Sequence, residues 1–328
     1  MYSFTIIIGI LIFCFLFLEK ILKIYTKNID NLFLDKPNLR SMHKSPTPTG
    51  GGILILITSI FSYIIWNYFN DLDISNHLVL KIFLISTPLS IISFYDDLKN
   101  ISQKFRYIVQ LFTGFFLLIN SGLIEILKDN FNLFIFLLFI FFFLVFVTGI
   151  INITNFMDGI DGLVVGSFSV IFIALTIKFD LGLIFISSIL LFFLRWNWQP
   201  ALLFMGDSGS TLLGALFSGI LINTQSYSEF FAILFLSTPL LIDSTTCLLW
   251  RYLNNYDVFS AHKMHLYQRL VIGGFSHKKV SIIYIASIIF ISIFYLIDNL
   301  SLEILAAAII TFLGLLLNFK FASPLHKI

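Results

Sequence analysis

Charge is scarce in this sequence. Of its 328 residues, 12% are Asp, Glu, Lys or Arg, against about 25% in an ordinary soluble domain. Hydrophobic residues make up 58%, Phe alone contributes 40, and mean hydropathy is +0.97. A water-soluble fold cannot cover that much apolar surface, so the bilayer must be the solvent for much of the chain. Cysteine is scarce too. Cys14 and Cys247 both lie in apolar runs. A disulfide framework is thereby excluded, and both are expected to be small buried hydrophobes rather than metal ligands. The first apolar run, about 2–18, lacks a basic n-region and a small-residue cleavage site, so it reads as a retained helix and not a signal peptide. There is no low-complexity linker and no soluble segment of domain size, so residues 1–328 read as one membrane domain.

What is present is a series of apolar stretches near the roughly 20 residues a spanning helix needs. About eleven are expected, at 2–22, 50–69, 78–95, 105–124, 132–151, 162–178, 180–195, 208–224, 229–250, 279–297 and 301–319. The pair 162–178 and 180–195 could instead be re-entrant. The expected fold class is all-α, a polytopic helix bundle. Assigning connections alternately, with the first inside, puts 17 of the 20 basic residues inside and leaves Lys81, Lys128 and Lys178 outside. That asymmetry predicts an outside N-terminus and a cytoplasmic C-terminus.

The polar clusters fall on the same inner face. Asp35 to Lys44 leads into Pro46-Thr47-Pro48-Thr49-Gly50-Gly51-Gly52. Hydroxyls and backbone N–H groups at a helix start make an anion site there an expectation. Asp96 and Asp97 end the third stretch, with Lys99, Lys104 and Arg106 close behind. Adjacent carboxylates tolerate each other beside a cation, and hard Mg²⁺ favours oxygen ligands. Asn152, Asn155, Asp158 and Asp161 crowd a connection that carries no basic residue. Uncompensated carboxylates beside a bilayer suggest function. Asp207 sits between Gly206 and Ser208-Gly209 at the start of an apolar stretch, a second candidate for phosphate or metal. His262, His265 and Arg269, if helical, share one face and present donors to a phosphate; as a metal site they lack an evident third ligand. Asp243 lies inside an apolar stretch, where a functional role and a hydrogen bond to a neighbouring helix are both open. Seven carboxylates, Asp35, Asp96, Asp97, Asp158, Asp161, Asp207 and Asp257, share the inner face with those 17 basic residues. This clustering points to one site that handles phosphates and a divalent cation beside lipid.

From about Asp35 to Arg269 these motifs resemble the polyprenyl-phosphate N-acetylhexosamine-1-phosphate transferases, the superfamily that includes the phospho-MurNAc-pentapeptide translocase. The resemblance implies transfer of a sugar 1-phosphate from a UDP-N-acetylhexosamine to undecaprenyl phosphate with release of UMP. It implies Mg²⁺ as cofactor, with Mn²⁺ able to substitute. It places the site at the cytoplasmic face of a bacterial plasma membrane. The implied partners are the two substrates and the bilayer, with a homodimer as an option and no nucleic acid. By the resemblance Asp96 and Asp97 are the active-site acidic pair, and Asp207 is a metal ligand with them. Asn155, Asp158 and Asp161 lie near the nucleotide, and Asn197 and Phe204 near the uracil. Lys44 and Thr49 belong to the loop before the second span, and Lys104 is a basic residue near the phosphates. His262, His265 and Arg269 stand in the histidine loop.

Two positions depart from the family pattern. Asn100 stands where a third Asp is frequent, and Met264 replaces the middle histidine. The basic stretch from Asp35 to His43 favours the branch that initiates O-antigen-like surface polysaccharides. The peptidoglycan translocase is the alternative. A secondary transporter is the alternative from another class, and the clustering at one face without two-half symmetry argues against it.

Overall fold

A computed structural model describes residues 2–27, 33–37, 41–69, 77–99, 101–258, 260 and 262–325. Asn38, Leu39, Arg40, Asn100 and Lys327, used in the reading above, lie outside the described residues. The described chain is almost entirely helical: α1 Tyr2–Lys27, α2 Gly51–Phe69, α3 Leu78–Lys99, α4 Gln103–Ile119, α5 Gly122–Asn130, α6 Leu133–Met157, α7 Leu163–Lys178, α8 Leu183–Asn197, α9 Asp207–Leu221, α10 Tyr227–Leu236, α11 Thr238–Leu253, α12 Leu266–Ile272, α13 His277–Ile297 and α14 Leu300–Lys320. A two-residue pairing joins β1, Leu34–Asp35, to β2, Thr47–Pro48, antiparallel. The chain is a polytopic helical membrane protein.

Each of the eleven apolar stretches is helical, but length divides them. Six helices (α1, α2, α3, α6, α13 and α14) are long and apolar enough to span alone, and eight spans result if each of two bent pairs counts as one. The other three, α7, α8 and α9, have 16, 15 and 15 residues. Length and composition alone identify six to eight crossings among the described residues, and α7, α8 and α9 fall short of that measure. The stretch read as 105–124 breaks between α4 and α5 with a 69° bend, and that read as 229–250 breaks between α10 and α11 with a 79° bend. At the second break Pro239 sits in the first turn of α11, where its missing N–H costs nothing, but it cannot continue the ladder of α10. The carbonyls of Leu234 and Phe235 accept from Ser237 N and also from the hydroxyls of Ser237 and Thr238, respectively.

Helix α9 is the axis of the bundle. Every residue from Ser208 to Leu221 is buried, and α2, α3 and α6 pack around it. Lipid offers no hydrophobic drive between helices, so close packing of small residues and interhelical hydrogen bonds hold such contacts. Ser90 Oγ donates to Ser208 O at 2.9 Å, Thr211 Oγ1 to Ser93 Oγ at 3.0 Å, and Ser210 Oγ to Asn155 Oδ1 at 2.8 Å. The closest approach is backbone against backbone. A β-carbon at Gly52 would lie 2.1 Å from the Gly209 nitrogen and 2.4 Å from its Cα. No side-chain rotation relieves that clash. Gly52→Ala is therefore expected to lower thermal stability in detergent by at least the roughly 1–3 kcal/mol of ordinary overpacking; an unchanged melting curve would contradict this packing.

Candidate active site

The polar motifs converge at one end of the bundle. Helices α3, α6 and α8 end there, and α2, α4, α9 and α13 begin there. Between them lies a cavity of about 720 Å³. Thr49, Asp96, Asp97, Asn155, Asp158, Asp161, Asn197, Phe204, Asp207, His262 and His265 line it. Lys44 and Lys104 are exposed and stand outside the lining, as does Arg269, which is buried.

The carboxylates at the ends of α3 and α9 form its floor. Asp96 is buried; its Oδ1 accepts from Ile101 N at 2.5 Å, and its Oδ2 pairs with Arg106 at 2.7 Å. The same guanidinium nitrogen reaches Asp207 Oδ2 at 3.1 Å. Asp97 Oδ1 accepts from Asp207 N at 3.1 Å. The anion bound at the N-terminus of α9 is thus the chain's own carboxylate. Gly206, with φ of 76°, makes this turn. A β-carbon there would meet Asp97 Oδ2 at 2.4 Å, so only glycine lets the loop lie against the carboxylate.

Asp97 Oδ2 itself is buried and has no hydrogen-bond partner among the described residues. A buried, unpaired carboxylate oxygen is costly. Asp96 and Asp207 pair with Arg106, and Asp97 lies against the Asp207 backbone, so three carboxylates crowd one corner of the cavity. An all-oxygen donor set with one oxygen unsatisfied fits a hard divalent cation such as Mg²⁺.

Arg106 was not assigned a role from sequence; Lys104 was. Two residues apart on a helix face nearly opposite ways. Because α4 begins at Gln103, Gln103 and Arg106 line the cavity while Lys104 points out. The helical start of α4, capped by Ser102 Oγ accepting from Phe105 N, was the available signal.

The second wall is the connection after α6. Asp158 caps that helix, and its carboxyl is pushed up to about 8, by burial first and then by the charges of Asp207 and Asp161. Asp161 Oδ1 lies 3.4 Å from His277 Nδ1, and its Oδ2 accepts from Ala201 N at 3.2 Å. Asn197 brackets two backbones: its Oδ1 accepts from Gly162 N at 3.0 Å and its Nδ2 donates to Leu203 O at 3.1 Å. Its amide shapes the cavity's edge rather than facing a ligand freely. Phe204 stands edge-on to His43, ring centroids 5.0 Å apart.

The anion site expected at the glycine-rich start of α2 is corrected. Gly51 N donates to Phe204 O at 3.0 Å and Gly52 N to Met205 O at 2.8 Å. These donors are engaged in holding the 204–205 loop.

The histidine loop is corrected as well. Residues 262–265 are not helical, and α12 starts only at Leu266. His262, His265 and Arg269 therefore share no helical face. Arg269 donates from Nε to Met264 O, from Nη1 to Ser323 O and from Nη2 to Asn318 Oδ1, tying the loop to the end of α14. Asp243 is what sets the loop. It accepts from Leu266 N at 2.6 Å, Tyr267 N at 3.0 Å and the Tyr284 hydroxyl at 2.6 Å. Of its two open readings, hydrogen bonding to a neighbouring element is the one observed. Burial pushes His262 down to about 4, helped by the neighbouring His265 and Arg251. Burial also pulls on His265, but Asp243 and then Cys247 outweigh it and hold it up to about 9.

Residues 79–225 match the model of the family described as Glycosyl transferase family 4. A probable undecaprenyl-phosphate N-acetylglucosaminyl 1-phosphate transferase of Bacillus subtilis is 28% identical over 278 residues, 78% of this chain and 75% of the relative. The chain is thus similar to a superfamily of membrane transferases across its central helices. An undecaprenyl-phosphate alpha-N-acetylglucosaminyl 1-phosphate transferase of Thermotoga maritima is 27% identical, with 68% of this chain and 67% of the relative covered. A phospho-N-acetylmuramoyl-pentapeptide-transferase of Prochlorococcus marinus is 30% identical, over 62% of this chain and 63% of the relative. The family match spans α3 to α9, the segment that supplies Asp96, Asp97, Arg106, Asn155, Asp158, Asp161 and Asp207.

Proposed function

We propose that this enzyme transfers an N-acetylhexosamine 1-phosphate from its UDP-sugar to undecaprenyl phosphate and releases UMP. The carrying observation is the cluster of Asp96, Asp97 and Asp207 on the cavity floor, with Asp97 Oδ2 unpartnered. In the transfer, an oxygen of the lipid phosphate forms a bond to the phosphorus that bears the sugar. The diphosphate P–O bond breaks, and UMP leaves with the electron pair. The lipid phosphate is already largely ionised at neutral pH, with a second pKa near ~6. No strong base is needed, and positioning with charge stabilisation suffices. Mg²⁺, held by Asp207, Asp97 and Asp96, would neutralise the diphosphate. Arg106 is placed to meet the phosphates as they enter, since its partners Asp96 and Asp207 are two of those carboxylates. His262, His265 and Ser260 form the wall facing this floor.

The 17-to-3 basic asymmetry supports a cytoplasmic site in the plasma membrane, with the N-terminus outside. The wider match to the Bacillus relative supports an N-acetylglucosaminyl-type sugar phosphate as the group transferred. The identity to the Prochlorococcus relative supports the peptidoglycan translocase as the second reading. The test is Mg²⁺-dependent UMP release by the purified protein with undecaprenyl phosphate and either UDP-GlcNAc or UDP-MurNAc-pentapeptide. UMP from UDP-GlcNAc, or from another UDP-N-acetylhexosamine, and none from the pentapeptide is expected. The reverse pattern selects the second reading, and no UMP from any UDP-sugar sinks both. In the same assay Lys104→Ala should stay within about threefold of wild type, whereas Arg106→Gln should lose at least about 30-fold, as removal of a charge-assisted contact does. Equal loss would reverse their assignment.

A further inference from the structure

The described residues bring Cys247, His262 and His265 together, each offering one ligand atom, with all three atoms within 4.8 Å of one another. Neither cysteine was expected to meet a metal. Cys14 behaves as expected, buried with its Sγ 2.8 Å from Ser62 Oγ. Cys247 is buried as well, but the face of α11 it occupies brings it to two histidines. Asp243, Cys247 and Arg251 recur at intervals of four, so they form one stripe. All three are buried. Asp243 grips the backbone at Leu266 and Tyr267. Arg251 grips the other end of the connection: its Nη2 donates to Asp257 O and, at 2.7 Å, to Ser260 Oγ. The strap between these clamps lies across Cys247, and His262 and His265 are the residues it presents there, ring centroids 4.9 Å apart.

We infer that Cys247, His262 and His265 form a second cation site, for a borderline-soft divalent ion of the Zn²⁺ class. Thiolate and imidazole donors select such ions over Mg²⁺. Zn–S near 2.3 Å and Zn–N near 2.0–2.1 Å put tetrahedral ligand atoms about 3.3–3.6 Å apart. The present atoms lie within 4.8 Å of one another, so the site must tighten as the ion binds. A second observation concerns the orientation of His265: its buried Nδ1 faces a carboxylate, which leaves Nε2 as the nitrogen free to ligate. That Nδ1 lies 3.7 Å from Asp243 Oδ1, the carboxylate–imidazole arrangement that orients metal-bound histidines. Ligation displaces the protons on the thiol and on His265, while His262 Nδ1 already accepts from Met264 N at 3.2 Å. Three protein ligands leave a fourth position, and His262 and His265 also line the cavity. The ion would pin the strap to α11 and set the shape of the cavity wall. The site stands on its own geometry and is independent of the sugar transferred.

The experiment uses the full chain, purified in detergent, stripped with a chelator and titrated with Co²⁺ in excess Mg²⁺, which occupies the carboxylate floor. One Co²⁺ per chain with a thiolate-to-cobalt charge-transfer band is expected. Cys247→Ala should abolish the band and weaken uptake by more than about 100-fold, beyond the usual loss of an outer partner. His262→Ala should weaken uptake while retaining the band. Stripped, ion-free Cys247→Ala should melt as stripped wild type does. Wild type that takes up no stoichiometric Co²⁺, or Cys247→Ala that binds with the same band, overturns the site.

Discussion

Asp97→Asn and Asp207→Asn are each expected to reduce UMP release at saturating Mg²⁺ by at least about 100-fold, the scale on which loss of one charge-stabilising group falls. The protein should still insert and melt near the wild-type temperature. Asparagine keeps the volume, and Asp97→Asn retains a carbonyl that can accept from Asp207 N, 3.1 Å away. What it removes is the negative charge and one oxygen lone-pair set at the position of the unpartnered Oδ2. For Asp97 the apo protein should even become slightly easier to fold, because a buried uncompensated charge is gone. The decisive comparison is therefore between turnover and stability in the same preparation. Near-wild-type turnover in either variant removes the carboxylate floor as the reactive centre. A collapse of both together would mean a structural role instead.

Asp243→Ala is expected to give the largest loss of stability. Two backbone N–H groups and the Tyr284 hydroxyl would lose their acceptor together. Breaking a buried, hydrogen-bonded charged group typically costs about 3–5 kcal/mol. The melting temperature should fall clearly, and UMP release should fall with it, because the start of α12 and the histidine strap lose their anchor. Asp243→Asn keeps one acceptor and should sit between the two. Asp243 is a positioning residue: its loss should spare Mg²⁺ affinity at the carboxylate floor. An Asp243→Ala protein that melts as wild type does, or that loses Mg²⁺ binding, contradicts this role.

How much of the site was legible varies residue by residue. Asp96, Asp97, Asp158 and Asp207 could be singled out because carboxylates in an apolar chain are costly wherever they fall. Arg106 and Lys104 stand two positions apart with like charge, and only the register of α4 tells which one faces in. Gly51 and Gly52 looked like free donors until the 204–205 loop proved to be their acceptor. The His262–Arg269 face required a helix that Asp243, reaching from α11, does not allow to begin before Leu266. Cys247 gave no signal in its own apolar run, since its partners come from fifteen or more residues away.

The polar motifs at one end of the bundle were read first as a consequence of scarcity. Hydropathy and charge placement are local sums, and a bilayer acts on them directly, so the sequence by itself determined the membrane class, the helical elements and the residue types that carry the chemistry. Which polar atoms remain available is not a local property. It depends on which donors meet which acceptors after α9 is surrounded and α10 breaks from α11. Only the tertiary structure decided that Asp97 keeps an unanswered oxygen, that Asn197 and the glycine amides are already engaged, and that Cys247 faces two histidines.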